Sequence, residues 1–195
     1  MNLTQVPSRE RKDARANHER ILIAAREECA LRGTSIEMKD VAARAGVGVG
    51  TLYRHFESRE KLIAAVIADA RRSLLERTSA AVASASPVDA FRAIIRMGAE
   101  AHEQYGALHE VAVPDADEKA EFIRLFDGLI RRAIEEGAFR RDLDPRVLWL
   151  AIESLFMSGA LQELAKELGH RAAADAFSQL ILSGCATPET RRSIF

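Results

Sequence analysis

Residues 38–56 constrain the chain more than any other stretch, because they demand two short helices meeting at a tight corner. Met38, Val41, Ala42 and Ala45 recur at i, i+3, i+4 and i+7, which is one face of a helix. Gly46 follows at once, and glycine most readily takes the left-handed conformation past a helix C-terminus. The second stretch, residues 50–56, spans only about two turns. Leu52 and Phe56 share its inner face, while Thr51, Tyr53, Arg54 and His55 point elsewhere. So narrow an apolar seam leaves most of the second helix with no packing role.

A helix of that kind, joined through a glycine-containing turn to a partner of similar length, has the form of a helix-turn-helix. In such a unit the second helix enters the DNA major groove with its N-terminal residues foremost. Gly48 and Gly50 leave its start sterically bare, and its free N–H groups and positive dipole end favour an anion. An A-G-V-G-V-G loop also invites a dinucleotide reading. No strand precedes it, however, and the G-x-G-x-x-G spacing is absent.

Five groups of residues carry a family resemblance: R-I-L-x-A-A at 20–25, Gly33, V-A-x-x-A-G-V at 41–47, G-T-L-Y-R-H-F at 50–56 and S-R-E-x-L at 58–62. With them the chain resembles the DNA-binding domain of the tetracycline-repressor (TetR) family of bacterial transcriptional regulators, over roughly residues 14–74. The resemblance implies an all-α fold of about nine helices: an N-terminal three-helix domain with the helix-turn-helix at about 37–56, joined by a long helix to an effector-binding and dimerisation bundle over 75–195. By the same resemblance, Thr51, Tyr53, His55 and Arg59 match positions that contact phosphate, and Lys39, Gly48, Val49, Gly50 and Arg54 match positions facing the groove. Arg54 or Lys39 suits guanine O6/N7, whereas Val49 offers only apolar contact, as to a thymine methyl. Packing roles compete for these residues: a core aromatic for Tyr53, a packing histidine for His55 and a solvated helix start for Arg59. Two departures stand out. Glu28 and Cys29 occupy an aliphatic–Phe pair, leaving core volume for Met38, Leu52 or Phe56 to fill, and Glu37 replaces a hydroxyl residue before the second helix, leaving Ser35 or Thr34 to cap it.

Charge is distributed to match. Residues 1–62 hold 12 Lys and Arg against 9 Asp and Glu, a net +3, and the remainder holds 16 against 20, a net −4. A mildly basic end on an acidic remainder suits nucleic-acid binding by that end alone. No apolar run approaches the ~18 residues of a membrane span, and no signal-peptide pattern opens the chain, so a cytoplasmic protein without membrane partners is expected. The two cysteines, Cys29 and Cys185, form no C-x-x-C pair.

Taken in order, residues 1–16 read as a polar arm in which Arg9, Arg11, Lys12 and Arg15 reach for phosphate or simply meet solvent. The first helix is expected over 17–32 and the linking helix over about 58–84, with Ser58 as its N-cap. Further helices are expected over 88–105, 115–137, 144–168 (Asp144 capping and Pro145 at the first position) and 171–182, with a short segment near 108–113 and a frayed tail at 186–195.

In this C-terminal part the resemblance implies a small-molecule pocket and a dimer face. Met97, Tyr105, Phe122, Phe126, Trp149 and Phe156 are the pocket candidates, with plain core packing as the alternative. The last two long helices interleave small and large residues, which suits a four-helix interface between two copies: Ile152, Phe156, Gly159, Ala160 and Leu164 on one, Ala173, Ala176, Phe177, Leu180 and Ile181 on the other. An intramolecular core is the competing reading. His102, Glu103, His109 and Glu110 lack any metal-binding spacing, and no nucleophile–base set, phosphate loop or cofactor motif supports an enzyme. The expected partners are therefore a palindromic double-stranded DNA operator, an unknown small-molecule effector and a second copy of the chain, with no cofactor or metal. A protein-interaction module that has lost DNA binding is the alternative function.

Overall fold

The computed structural model describes residues 8–105 and 116–194. Among them the chain is all-α, with ten helices: α1 (Ser8–Arg32), α2 (Met38–Ala45), α3 (Val49–His55), α4 (Arg59–Ser84), α5 (Pro87–Tyr105), α6 (Ala116–Glu135), α7 (Pro145–Met157), α8 (Ala160–Leu168), α9 (His170–Cys185) and α10 (Pro188–Ile194). They fall into two compact units that divide between Ala70 and Arg71, within α4.

The first unit is a three-helix domain sealed by the start of α4. Ile21, Ala25 and Cys29 of α1, Val41 and Ala42 of α2, Leu52 of α3, and Leu62 and Val66 of α4 are all essentially without exposure. Ile36, in the α1–α2 connection, completes this core. Each large apolar side chain so buried contributes ~1.5–3 kcal/mol. Burial, helped by the neighbouring Glu28 charge, pushes the Cys29 thiol up to about 11, so it remains an inert packing group. Met38 and Phe56, expected to fill the space left by the missing phenyl ring, are both buried.

The second unit is built on Phe91 and Ile95 of α5, Phe126, Leu129 and Ile130 of α6, Phe139, and Leu182 of α9. The Phe139 ring meets Phe91 edge-on at 5.8 Å. Helix α5 runs along α9, where Arg96 pairs with Asp175 at 2.6 Å and Glu103 meets His170 at 3.0 Å. Helix α6 lies on α7, with Lys119 paired to Glu153 at 2.6 Å. Arg132 of α6 donates to the carbonyls of Val82 and Ala85 at 2.7 and 2.8 Å, and so satisfies the open end of α4.

Four expectations need correction. Helix α1 begins at Ser8, because the presumed arm is rich in helix-forming Arg, Glu, Lys and Ala, and Arg15 pairs with Glu19 one turn on at 3.2 Å. The helix opened by Asp144 and Pro145 does not run unbroken to Leu168: Gly159 takes φ 76°, and the chain bends by 59° into α8. The Asp144 carboxylate does cap α7 as expected, accepting from the N–H groups of Arg146 and Val147. The presumed frayed tail forms α10, tied down where Thr187 N–H donates to Ala138 O at 3.0 Å and Arg140 N–H to Cys185 O at 2.9 Å. Finally, neither Ser35 nor Thr34 caps α2, whose N-cap is Glu37. The short segment near 108–113, like His109 and Glu110, lies outside the described residues. Among the described residues no single helix is long and apolar enough to cross a membrane, and no group of three His, Cys, Asp or Glu is placed to hold a metal.

Candidate nucleic-acid interface

The corner between α2 and α3 is held from α1. Gly46 takes φ 64°, and the Val47 N–H returns to Ala42 O at 3.0 Å, closing α2. Onto the free carbonyls at that end Arg20 folds its guanidinium, donating to Ala45 O at 3.0 Å (Nε) and 2.6 Å (Nη2) and to Gly46 O at 2.8 Å. A cation there also meets the negative end of the helix dipole. In the same last turn of α2, Arg44 is drawn to α1 by two carboxylates, Glu28 Oε1 at 2.7 Å and Glu27 Oε2 at 3.1 Å. Only 4% of the Glu28 side chain is exposed, so this is a buried acid whose charge needs its partner. Arg32 of α1 pairs with Asp40 at 2.6 Å.

Helix α3 opens at Gly48, whose carbonyl accepts from the N–H groups of Thr51 (2.8 Å) and Leu52 (3.1 Å), and no side chain caps it. Leu52 is the helix's buried residue, with none of its surface exposed, and Phe56 just beyond is buried as well. Everything else faces outward or nearly so. Val49 is 43% and Tyr53 48% exposed, which makes a core role for Tyr53 untenable. A Cβ added at Gly50 meets no heavy atom within 4 Å, so the start of the helix is as open as the two glycines suggest. Gly48 is exposed, and Thr51 is half-buried.

The cations on this face are not idle in the free protein. Arg54 folds back along α3, donating to Gly50 O at 3.3 Å and to Thr51 Oγ1 at 3.2 Å. Arg59 lies against Glu60 at 3.3 Å, and Lys39 against Glu37 at 2.8 Å. His55 is half-buried beside His18 of α1, ring centroids 5.9 Å apart, while the His18 ring stacks on Phe56 at 5.0 Å. Partial burial, then the neighbouring His18 and Arg54, lower the His55 pKa below its ordinary value, so the imidazole is neutral in the free protein near pH 7. Arg20, His18 and the Glu28–Arg44 pair are the supporting residues that sequence reasoning missed. Their partners lie 25, 37 and 16 residues away, where helical periodicity carries no signal.

In the second unit the pocket candidates separate into two clusters. Phe122 and Phe126 pack on Trp149 at 5.9 and 5.4 Å. Phe156 instead meets Phe177 at 6.1 Å and lies over Gly98, where an added Cβ would come within 2.9 Å of its ring. Met97 is buried, and the Tyr105 side chain lies outside the described residues. Among the described residues of this unit three polar atoms are buried with no hydrogen-bond partner, Thr78 Oγ1, Arg132 Nε and Trp149 Nε1. An open groove of about 490 Å³ lies elsewhere, between Leu75, Ser79 and Ala83 of α4 and Glu121 and Leu125 of α6. None of the six pocket candidates lines it. Of the dimer candidates, Ile152, Ala173 and Phe177 are buried within the chain's own core, Phe156, Gly159, Leu164 and Ile181 are half-buried, and Ala160, Ala176 and Leu180 are exposed, Leu180 by 67%.

Residues 21–66 match the family model described as bacterial regulatory proteins, tetR family. Over 187 residues the chain is 23% identical to the HTH-type transcriptional repressor KstR2 of Rhodococcus jostii (strain RHA1), spanning 83% of this chain and 85% of the relative. A shorter match, 42% identical over 62 residues, is to the HTH-type transcriptional regulator SAR0097 of Staphylococcus aureus (strain MRSA252), covering 30% of this chain and 32% of that one. Among solved structures, the TetR transcriptional regulator SCO0520 from Streptomyces coelicolor superposes with a TM-score of 0.66 at 26% identity, covering 88% of this chain and 99% of that one.

Proposed function

Because the chain belongs to the tetR family of bacterial regulatory proteins and is a DNA-binding transcriptional regulator, we propose that it acts as a homodimeric repressor, released from a palindromic operator by a small molecule. In this reading residues 14–74 are the DNA-binding domain and 75–195 the effector and dimerisation domain. The observation that carries the DNA half is the composition of the outer face of α3. A seven-residue helix buries Leu52 and turns Val49, Gly50, Tyr53 and Arg54 outward, beside a glycine-opened N-terminus. Val49, Gly50, Arg54 and Lys39 then face base edges, while Thr51, Tyr53, His55 and Arg59 take the phosphates on either side.

Two copies are needed because so short a reader discriminates little alone. Two of them, ~34–36 Å apart on one face of the duplex, read two half-sites together. The exposed Leu180, Ala176 and Ala160 of α9 and α8 supply the apolar surface for that pairing. The effector enters the second unit, whose interior offers aromatic walls around Trp149 and Phe126 and the unpartnered groups Thr78 Oγ1 and Trp149 Nε1. It shifts the protein between conformers only by as much as it prefers one of them, and α4, which contributes to both units, carries the change. Such a regulator works inside the cell, where its DNA is.

Replacing Tyr53, His55 and Arg59 together by Ala tests the site. Operator binding in a gel-shift titration is expected to fall at least about ten-thousandfold, at about 1–1.5 kcal/mol for each of three contacts in each of two protomers. The dimer should persist in size-exclusion chromatography. Unchanged binding would contradict the assignment.

A further inference from the structure

Glu37 stands at the N-cap of α2 with φ −107° and ψ 134°, where a short oxygen-bearing side chain would accept a hydrogen bond from the first turn. It makes no such bond. Its carboxylate turns instead to the Lys39 ammonium at 2.8 Å, with 57% of the Glu37 and 70% of the Lys39 side chain exposed. Beside them Arg32 and Asp40 form a second pair at 2.6 Å. Lys39, proposed above to face base edges, is thus neutralised at the start of α2 by a carboxylate two residues away. The hydrogen bond to Glu37, and then the Glu37 charge, hold the Lys39 pKa above its ordinary value, so Lys39 stays charged and engaged.

Resting on the DNA-binding reading, we propose that Glu37 is a positioning residue for sequence discrimination, acting through Lys39: its carboxylate occupies the ammonium in the free protein and repels phosphate. An arbitrary duplex offers Lys39 only another anion, and brings a phosphate up against Glu37. A duplex that presents a well-placed acceptor to Lys39, such as guanine O6/N7, compensates for leaving Glu37. The carboxylate thus lowers affinity for all DNA, and lowers it most where the sequence is wrong. Since the pair is exposed it contributes little to stability, so the position is free to serve recognition.

The test uses the full-length chain, a palindromic duplex selected from a random library, and a shuffled duplex of equal length. Anisotropy titrations are run at several salt concentrations. Glu37→Gln keeps the size of the side chain and removes its charge. It should tighten shuffled-duplex binding about three- to tenfold and palindrome binding less. The plot of log K against log salt should steepen by about 1–2, as the two Lys39 ammoniums of a dimer become free to displace counterions. In a Lys39→Gln background, Glu37→Gln should recover at most part of this gain and leave the salt slope near that of Lys39→Gln. Unchanged thermal melting of E37Q confirms that the effect is not one of folding. If wild type discriminates and E37Q discriminates equally, or E37Q weakens only the palindrome, as loss of a direct base contact would, the proposal is overturned alone. If wild type shows no preference for the palindrome, the DNA-binding reading is overturned and the proposal with it.

Discussion

Arg44 is the residue on which the α1–α2 arrangement is most exposed to a single change. It neutralises the buried Glu28 at 2.7 Å, and one Glu28 oxygen already lacks a hydrogen bond. Removing Arg44 takes away the hydrogen-bonded partner of that carboxylate and leaves it only Arg32, at 3.5 Å, a loss of about 1–3 kcal/mol in urea unfolding for Arg44→Ala. Replacing the acid by an apolar residue of similar size removes the need for the partner. Glu28→Leu should therefore be near neutral by itself and should rescue most of the stability lost in Arg44→Ala. Two independent, additive losses would show that the pair is not coupled. At this scale the sequence was only half legible. The inward turn of Leu52 and Phe56 follows from their i, i+4 spacing, and the outward turn of Tyr53 and Arg54 follows with it. The hold of Arg20 on the α2 carbonyls and the stacking of His18 on Phe56 do not, because both are contacts between helices and no local rule specifies them.

Among the elements, the most telling is the pair α7 and α8. Composition and periodicity run without interruption from Pro145 to Leu168, and Asp144 with Pro145 marks the start plainly. A single glycine inside such a pattern is ordinarily tolerated in a helix. Here Gly159 takes φ 76° and turns the chain by 59° instead. The bend lets α8 pack along α9. Any other residue at that φ is strained, so Gly159→Ala should destabilise the protein by about 1–2 kcal/mol, read as a lower Tm. An unchanged or raised Tm would mean that the break is not enforced by this backbone conformation. Helix α1 teaches the opposite lesson. Its first two turns are polar enough to look like a solvated arm, yet their residues are good helix formers, and a helix already nucleated by packing further along extends cheaply into them.

At the level of the whole molecule, the charge asymmetry of the sequence and the two units of the structure support the proposed division of labour between a DNA-reading part and a part that pairs and senses. The helix-turn-helix was legible because its function fixes local chemistry: a glycine corner, a narrow seam and exposed polar groups at set offsets. The effector site was not, because an apolar cavity and an apolar core use the same residues, and Phe126, Trp149 and Phe156 are packed against neighbours as core residues would be. For the dimer face the same ambiguity divides the candidates, with Phe177 and Ala173 buried in their own chain and Leu180 exposed. Leu180→Asp places a charge on the proposed apolar contact without touching the core. It is expected to give a folded monomer by sedimentation velocity, since a buried unpaired charge in the interface costs several kcal/mol. A variant that stays dimeric would move the interface elsewhere.

The proposed reading of DNA by two copies of α3 is tested most directly by fluorescence anisotropy with a selected palindromic duplex, its single half-site and a shuffled duplex, each titrated at two salt concentrations. Specific affinity for the palindrome should exceed that for the shuffled duplex by at least about a thousandfold, with two chains bound per duplex and affinity falling steeply as salt rises. Equal affinity for palindrome, half-site and shuffled duplex, or no salt dependence, would contradict it.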